Sequence, residues 1–177
     1  QYYFLNAKVV GNLTGVFLAH LDETHNAGVR RFLPSLTRKP KKLNGFVLDR
    51  GRLALPDESF FEEDPVRLLE IFWLADKHQL EIHPLAMRSA RRDSKLVDNK
   101  VRKEARANKL FLDVLCSPRD PELVLRWMNE AAIFGRFIPD FGRVVGQMQF
   151  DMYHHYTVDE HSIRAIGLLA QIGRGDL

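Results

Sequence analysis

Asp64-Pro65-Val66-Arg67-Leu68-Leu69-Glu70-Ile71-Phe72-Trp73-Leu74-Ala75 decides the fold class of this chain. An aspartate ahead of a helix accepts from backbone N–H groups that have no partner in the first turn. Proline suits the next position, where no N–H is needed and the ring pre-sets a helical φ. Leu68, Leu69, Phe72, Trp73 and Ala75 then return at helical spacing and make one apolar face. The spacing predicts an amphipathic helix whose stripe must be covered by other elements.

The pattern stays helical toward the C-terminus. Ile82-His83-Pro84 breaks the chain, and a short helix is expected near Leu85 to Arg92. A longer one is expected from Val101 to Cys116, with Ala105, Leu110, Leu112 and Leu115 inside. Asp120-Pro121-Glu122 repeats the cap-then-proline device and opens a helix through Trp127 and Met128. The stretch 134–141 carries a glycine and a proline and reads as a connector, and 143–150 reads as one more short helix. Thr157-Val158-Asp159-Glu160 has the form of a capping box, with Thr157 at the N-cap and Glu160 three residues on. Val158, His161, Ala165, Leu168 and Ile172 then share a face expected to be buried, and Gly173 and Gly175 mark the end.

Toward the N-terminus, Leu5, Val9, Leu13, Val16, Phe17 and Leu21 predict a helix from Gln1 to about Thr24. A basic stretch from Asn26 to Asn44, interrupted by Pro34 and Pro40, reads as irregular. Two apolar runs flank Asp49-Arg50-Gly51 and predict a hairpin over 46–55. The expected class is therefore all-α, a mainly helical bundle with one short β-hairpin near 46–55.

The chain has 177 residues, 45% hydrophobic and 28% charged, the composition of an ordinary soluble globular protein. No run approaches the roughly 20 apolar residues of a membrane helix. The first residues lack a basic n-region and a cleavage site, so the expected location is cytoplasmic. Gln1 opens without an initiating Met into an apolar run, which suggests an internal segment of a longer polypeptide. Cys116 is the single cysteine, which excludes an internal disulfide; it is expected to be a small buried residue at a helix end. Lysine and arginine exceed the acids by 26 to 23. They cluster at Arg30, Arg31, Arg38, Lys39, Lys41 and Lys42, and again between Arg88 and Lys103. Such clusters meet phosphates, or are simply solvated helix ends.

Two constellations carry chemistry. Glu63, Asp64 and Arg67 put carboxylates at a helix start with a guanidinium one turn on. Capping and local pairing explain them, and the same trio offers acceptors and a fork donor to a nucleotide. The second is Phe150 to His161, with His154, His155 and His161 among carboxylates. The adjacent pair cannot both face one ion from a regular helix, and His161 reads either as a core histidine or as a ligand.

The run Glu63 to Phe72 is similar to the helical segment that follows the catalytic domain in tRNA and poly(A) nucleotidyltransferases, where an Asp and an Arg at this spacing contact the incoming base. A wider likeness covers nearly the whole chain. Gly146-Gln147-Met148-Gln149-Phe150-Asp151 and Tyr156-Thr157-Val158-Asp159-Glu160-His161-Ser162-Ile163-Arg164 resemble the start of the HD domain of bacterial PII-protein uridylyltransferases. Asn44-Gly45-Phe46, Ile82-His83-Pro84, Ala107-Asn108-Lys109-Leu110-Phe111 and Met128-Asn129-Glu130-Ala131 agree with it, as do Tyr3-Phe4-Leu5 and Asn12-Leu13-Thr14.

Members of that family transfer UMP from UTP to a tyrosine of the PII signalling protein and also remove it hydrolytically, with glutamine as an effector. The resemblance implies that residues 1–150 are a helical linker following a nucleotidyltransferase domain, and that 151–177 hold the first helix of an HD domain cut short. No Gly-Ser followed by paired Asp residues occurs in this sequence, so the transferase centre is not in it. His161 corresponds to the first metal ligand of the HD motif, its fellow ligands being expected beyond Leu177. Mg or Mn would serve the intact enzyme, and neither a cofactor nor activity is expected of this segment alone. Glu63, Asp64 and Arg67 would adjoin the nucleotide. Membrane and RNA are not expected partners. Two other readings remain open: the neck and body of an RNA nucleotidyltransferase, or a non-catalytic helical adaptor for an acidic partner.

Overall fold

A computed structural model describes residues 41–147 and 156–176. The expected helix over 1–24, most of the basic stretch, the end of the short helix expected over 143–150, and His154 and His155 lie outside the described residues.

Among the described residues the strands form one four-stranded sheet rather than a single hairpin. Strands β1 (Lys42–Leu43), β2 (Phe46–Asp49) and β3 (Arg52–Ala54) run antiparallel in sequence order. Strand β4 (Glu81–Ile82) joins β3 in parallel, with Leu53 opposite Ile82. Both hairpins turn on two residues of positive φ: Asn44 and Gly45 at 49° and 89°, Arg50 and Gly51 at 51° and 82°. That is the turn whose twist matches paired strands. Asn44-Gly45 lies at the edge of the stretch read as irregular, which is why β1 was not expected. β4 is too short for a periodic signal. Its place comes from Gln79, left-handed at φ 53°, which reverses the chain. His83 N then donates to Leu53 O at 2.8 Å.

The helices are α1 (Phe60–Glu63), α2 (Arg67–His78), α3 (Pro84–Asp93), α4 (Asn99–Lys103), α5 (Ala105–Leu115), α6 (Pro121–Glu130), α7 (Phe134–Phe137), α8 (Pro139–Val144) and α9 (Val158–Arg174). α2 is the central one: it packs on α5 and α6 and buries Leu68, Leu69, Ile71, Phe72 and Leu74. At 1.5–3 kcal/mol per large apolar side chain, burial of this stripe far exceeds any local propensity term. Phe46 from β2 meets Phe60 edge-on at 4.9 Å, tying the sheet to the same core.

The cap-then-proline devices behave differently. Asp120 accepts from Leu123 N at 3.1 Å, and α6 starts at once. Asp64 accepts from Val66 N at 3.1 Å, but Arg67 N bonds back to Asp64 O at 3.0 Å. This closes a turn at 65–66, and the regular helix begins at Arg67. The helix expected over 101–116 divides at Glu104, which is extended at φ −74°, ψ 127°. The expected connector over 134–141 instead holds α7 and α8, which cross where Gly135 and Gly142 meet. A Cβ on Gly135 would lie 2.8 Å from Gly142 Cα. Phe134 stacks on Phe141 at 3.8 Å.

Cys116 is exposed, against the expectation of a buried thiol. α5 ends at Leu115, and the next inward position is taken by Ser117, whose hydroxyl donates to the buried Asp76 carboxylate at 2.9 Å.

Candidate functional site: the carboxylate–arginine cluster and the start of the last helix

Glu63, Asp64 and Arg67 come together as expected, and each has an ionic partner. Arg67 donates to Glu63 Oε2 at 3.0 Å and to Phe60 O at 2.8 Å, and its guanidinium lies 4.0 Å above the Phe60 ring. Asp64 Oδ2 receives Arg106 from α5 at 2.6 Å. Arg106 also donates to Glu70 Oε2 at 2.6 Å, and Glu70 Oε1 takes Asn44 from the β1–β2 turn at 3.0 Å. The Asp64 hydrogen bond, helped by the Glu70 and Asp64 charges, raises the Arg106 guanidinium above its usual range. One arginine thus joins the start of α2 to α5, and Glu70 ties both to the sheet. Glu63 is the most open member, with 59% of its side chain exposed.

Glu70 and Arg106 escaped the sequence reading. Glu70 sits one turn beyond Arg67 within an apolar run, an available local signal for a buried, partnered acid. Arg106 is 36 residues from Glu70, and nothing local marks it.

The start of α9 departs from the capping-box expectation. Thr157 is the N-cap, but its side chain makes no capping bond. Glu160 reaches across to Arg126 on α6, with Nε–Oε1 at 2.9 Å, and Arg126 also holds Glu122 at 2.8 Å. A two-residue arginine fork outcompetes a single local amide. Asp159 is fully buried and accepts from Asn129 Nδ2 at 2.8 Å and from Gly146 N at 3.0 Å. Val158 N donates to Gln147 O at 2.9 Å. The end of α8 and the start of α9 are therefore fastened to each other and to α6.

The face of α9 turned inward is Asp159, Ile163 and Gly167, at i, i+4 and i+8. A Cβ on Gly167 would lie 2.8 Å from Glu122 Cβ. The missing side chain is what lets α9 approach α6. The face expected to be buried is instead outward: Leu168 and Ile172 are 44% and 58% exposed. His161 shares that face and is exposed among the described residues. Its ring meets Tyr156 edge-on at 5.6 Å, and Arg164 donates to the Tyr156 hydroxyl at 3.1 Å.

Among the described residues no three His, Cys, Asp or Glu side chains converge on one point. His161 alone cannot fix an ion. No helix among the described residues is long and apolar enough to cross a membrane.

Comparison with known proteins places this arrangement. A protein of Novosphingobium aromaticivorans named bifunctional uridylyltransferase/uridylyl-removing enzyme is 62% identical over 176 residues, which is 99% of this chain and 19% of that relative. A protein of Erythrobacter litoralis with the same name is 55% identical over 179 residues, covering 100% of this chain and 20% of the relative. The chain thus spans about a fifth of the length of the curated relatives it matches. No solved structure matches. The model of the uridylyltransferase GlnD third domain matches residues 46–137, from β2 through the end of α7. With strands β2 to β4, the α2–α5–α6 core and the Arg106 bridges to Asp64 and Glu70 inside that span, the chain belongs to the uridylyltransferase GlnD third-domain family.

Proposed function

We propose that this chain is the connecting region of a two-activity enzyme that transfers UMP from UTP to a tyrosine of the PII signalling protein and hydrolyses it off again. Residues 1–150 form the linker after the nucleotidyltransferase domain, and 151–177 begin the HD domain. The enzyme is cytoplasmic, with glutamine as its effector and Mg or Mn as its ion. The observation that carries the reading is the family match over the rigid core, together with relatives of that name along the whole chain.

Glu63, Asp64 and Arg67 stand on the nucleotide side of the transferase cleft. The Arg106 brace supports this reading by holding Asp64 and the start of α2 in one arrangement, the kind of preorganisation a binding site needs. His161 is one ligand of an ion whose remaining ligands lie outside the described residues. Its outward position on α9 is compatible with that role, and no chemical step is derived through the ion.

Arg67→Ala in the full-length enzyme tests the nucleotide role. The expected result is a higher KM for UTP, with PII binding unchanged. An unchanged KM and rate would reduce Arg67 to its contacts with Glu63 and Phe60.

A further inference from the structure

A cleft distant in role from both constellations opens between the sheet and α3. It measures about 650 Å³, and its lining includes Asp49, Asp57 and Glu58 as well as Arg88, Ser89 and Arg92 of α3. That volume is in the range of small-molecule sites. Its two walls carry opposite charge.

Leu85, Arg88, Ser89 and Arg92 fall at i, i+3, i+4 and i+7 of α3 and so share one face. The neighbouring arginines of α3 are engaged: Arg91 donates to Glu130 O at 3.1 Å, and Arg92 to Glu58 O and Asp93 at 2.8 Å. Arg88 and Ser89 have no side-chain partner among the described residues. A guanidinium and a hydroxyl one residue apart, both lining the cleft, form a donor pair for a carboxylate.

The facing wall is acidic. Asp49 Oδ2 lies 3.9 Å from His83 Nε2. Asp57 uses Oδ1 for Ser59, at 3.0 Å to N and 2.9 Å to Oγ, which leaves Oδ2 without a bond among the described residues. His83 Nδ1 accepts from Leu85 N at 3.2 Å, so the neutral ring carries its proton on Nε2, toward Asp49. Between the walls lie Ala54, Leu55 and Ala86. A simple anion would meet Asp49, Asp57 and Glu58 as well as Arg88 and Arg92, and so gain little. A molecule with both charges satisfies both walls.

We propose that this cleft binds a small dipolar ligand, with a carboxylate on Arg88 and Ser89, an ammonium or equivalent donor on Asp49 and Asp57, and a short carbon body over Leu55 and Ala86. The proposal does not rest on the nucleotide or HD readings.

The test is NMR titration of the ¹⁵N-labelled 177-residue chain with the twenty standard L-amino acids, glycylglycine and alanylalanine, and separately with acetate, methylammonium and inorganic phosphate. At least one dipolar probe should shift the amides of Arg88, Ser89 and Asp49 saturably. Acetate and methylammonium should bind about tenfold more weakly or worse, and Arg88→Ala and Asp57→Asn should each weaken the dipolar probe about tenfold. These substitutions are on exposed side chains, and a circular-dichroism melt confirms the fold. The proposal is overturned if no dipolar probe shifts these amides, if acetate or phosphate binds as tightly, or if Arg88→Ala leaves the shifts unchanged.

Discussion

Asp159→Ala is the sharpest perturbation of the joint that holds α9 to α6 and the end of α8. The Asp159 carboxylate is fully buried, and its partners include two groups of different exposure. Gly146 N–H is itself buried, and losing its acceptor costs about 1–3 kcal/mol. Asn129 is half-buried, so water can replace the lost acceptor and its share is about 1 kcal/mol or less. Removing a buried charge relieves some desolvation and offsets part of this. The net expected loss is about 1–3 kcal/mol, read as a urea midpoint lower by roughly 0.5–1.5 M at an m-value of about 2 kcal/mol/M. Hydrogen exchange gives the local readout: the Gly146 amide should lose its protection while the α2 amides keep theirs. Asp159→Asn retains one acceptor oxygen and should lose less. A loss below about 0.5 kcal/mol, or unchanged Gly146 protection, would refute the claim that this carboxylate fastens α8 to α9.

Two further predictions concern the core and pH. Asp76→Ala strands the buried Ser117 hydroxyl and releases Arg119, whose Nε lies 3.1 Å from Asp76. Because Arg119 is 38% exposed, its share is screened and small, and denaturation should show a total loss of about 1–3 kcal/mol, mostly from Ser117. Asp98 caps α4 by accepting from Lys100 N and Val101 N at 2.8 and 3.0 Å. The Val101 amide leads in holding its carboxyl below the usual range, with the Lys100 amide and nearby cations adding to it. A depressed folded-state pKa means the cap's contribution is fully present above the ordinary aspartate value of about 3.9. It is lost as pH falls through the lower folded-state value. An NMR titration of Asp98 with a midpoint at or above about 3.9 would contradict this.

What was legible in the sequence was local. Asp120-Pro121 predicted its helix start because cap and proline act within one turn. The apolar stripe from Leu68 to Ala75 identified the central helix. The hairpin around Arg50-Gly51 was read from its turn. What escaped depended on distant partners. The Thr157–Glu160 box is a correct local signal, overridden by Arg126, which lies 34 residues from Glu160. The inward face of α9 was misassigned because hydrophobicity favoured Leu168 and Ile172, while closeness of approach is decided by Gly167 and a buried acid with two donors waiting for it. Strand β4 has two residues and exists only because β3 offers it an edge. Of the candidate site, the trio Glu63, Asp64 and Arg67 was legible from helix-start chemistry, but the Glu70–Arg106 brace that fixes it was not.

The central proposal, that this chain joins a uridylyl transferase to a uridylyl-removing domain beginning at residue 151, is tested most directly on His161. Rates of UMP transfer to PII and of UMP release from modified PII should be measured side by side for the full-length enzyme and its His161→Ala variant. The account predicts that release is lost while transfer remains close to that of the parent enzyme. Release at the parent rate, or loss of transfer with release intact, would contradict it.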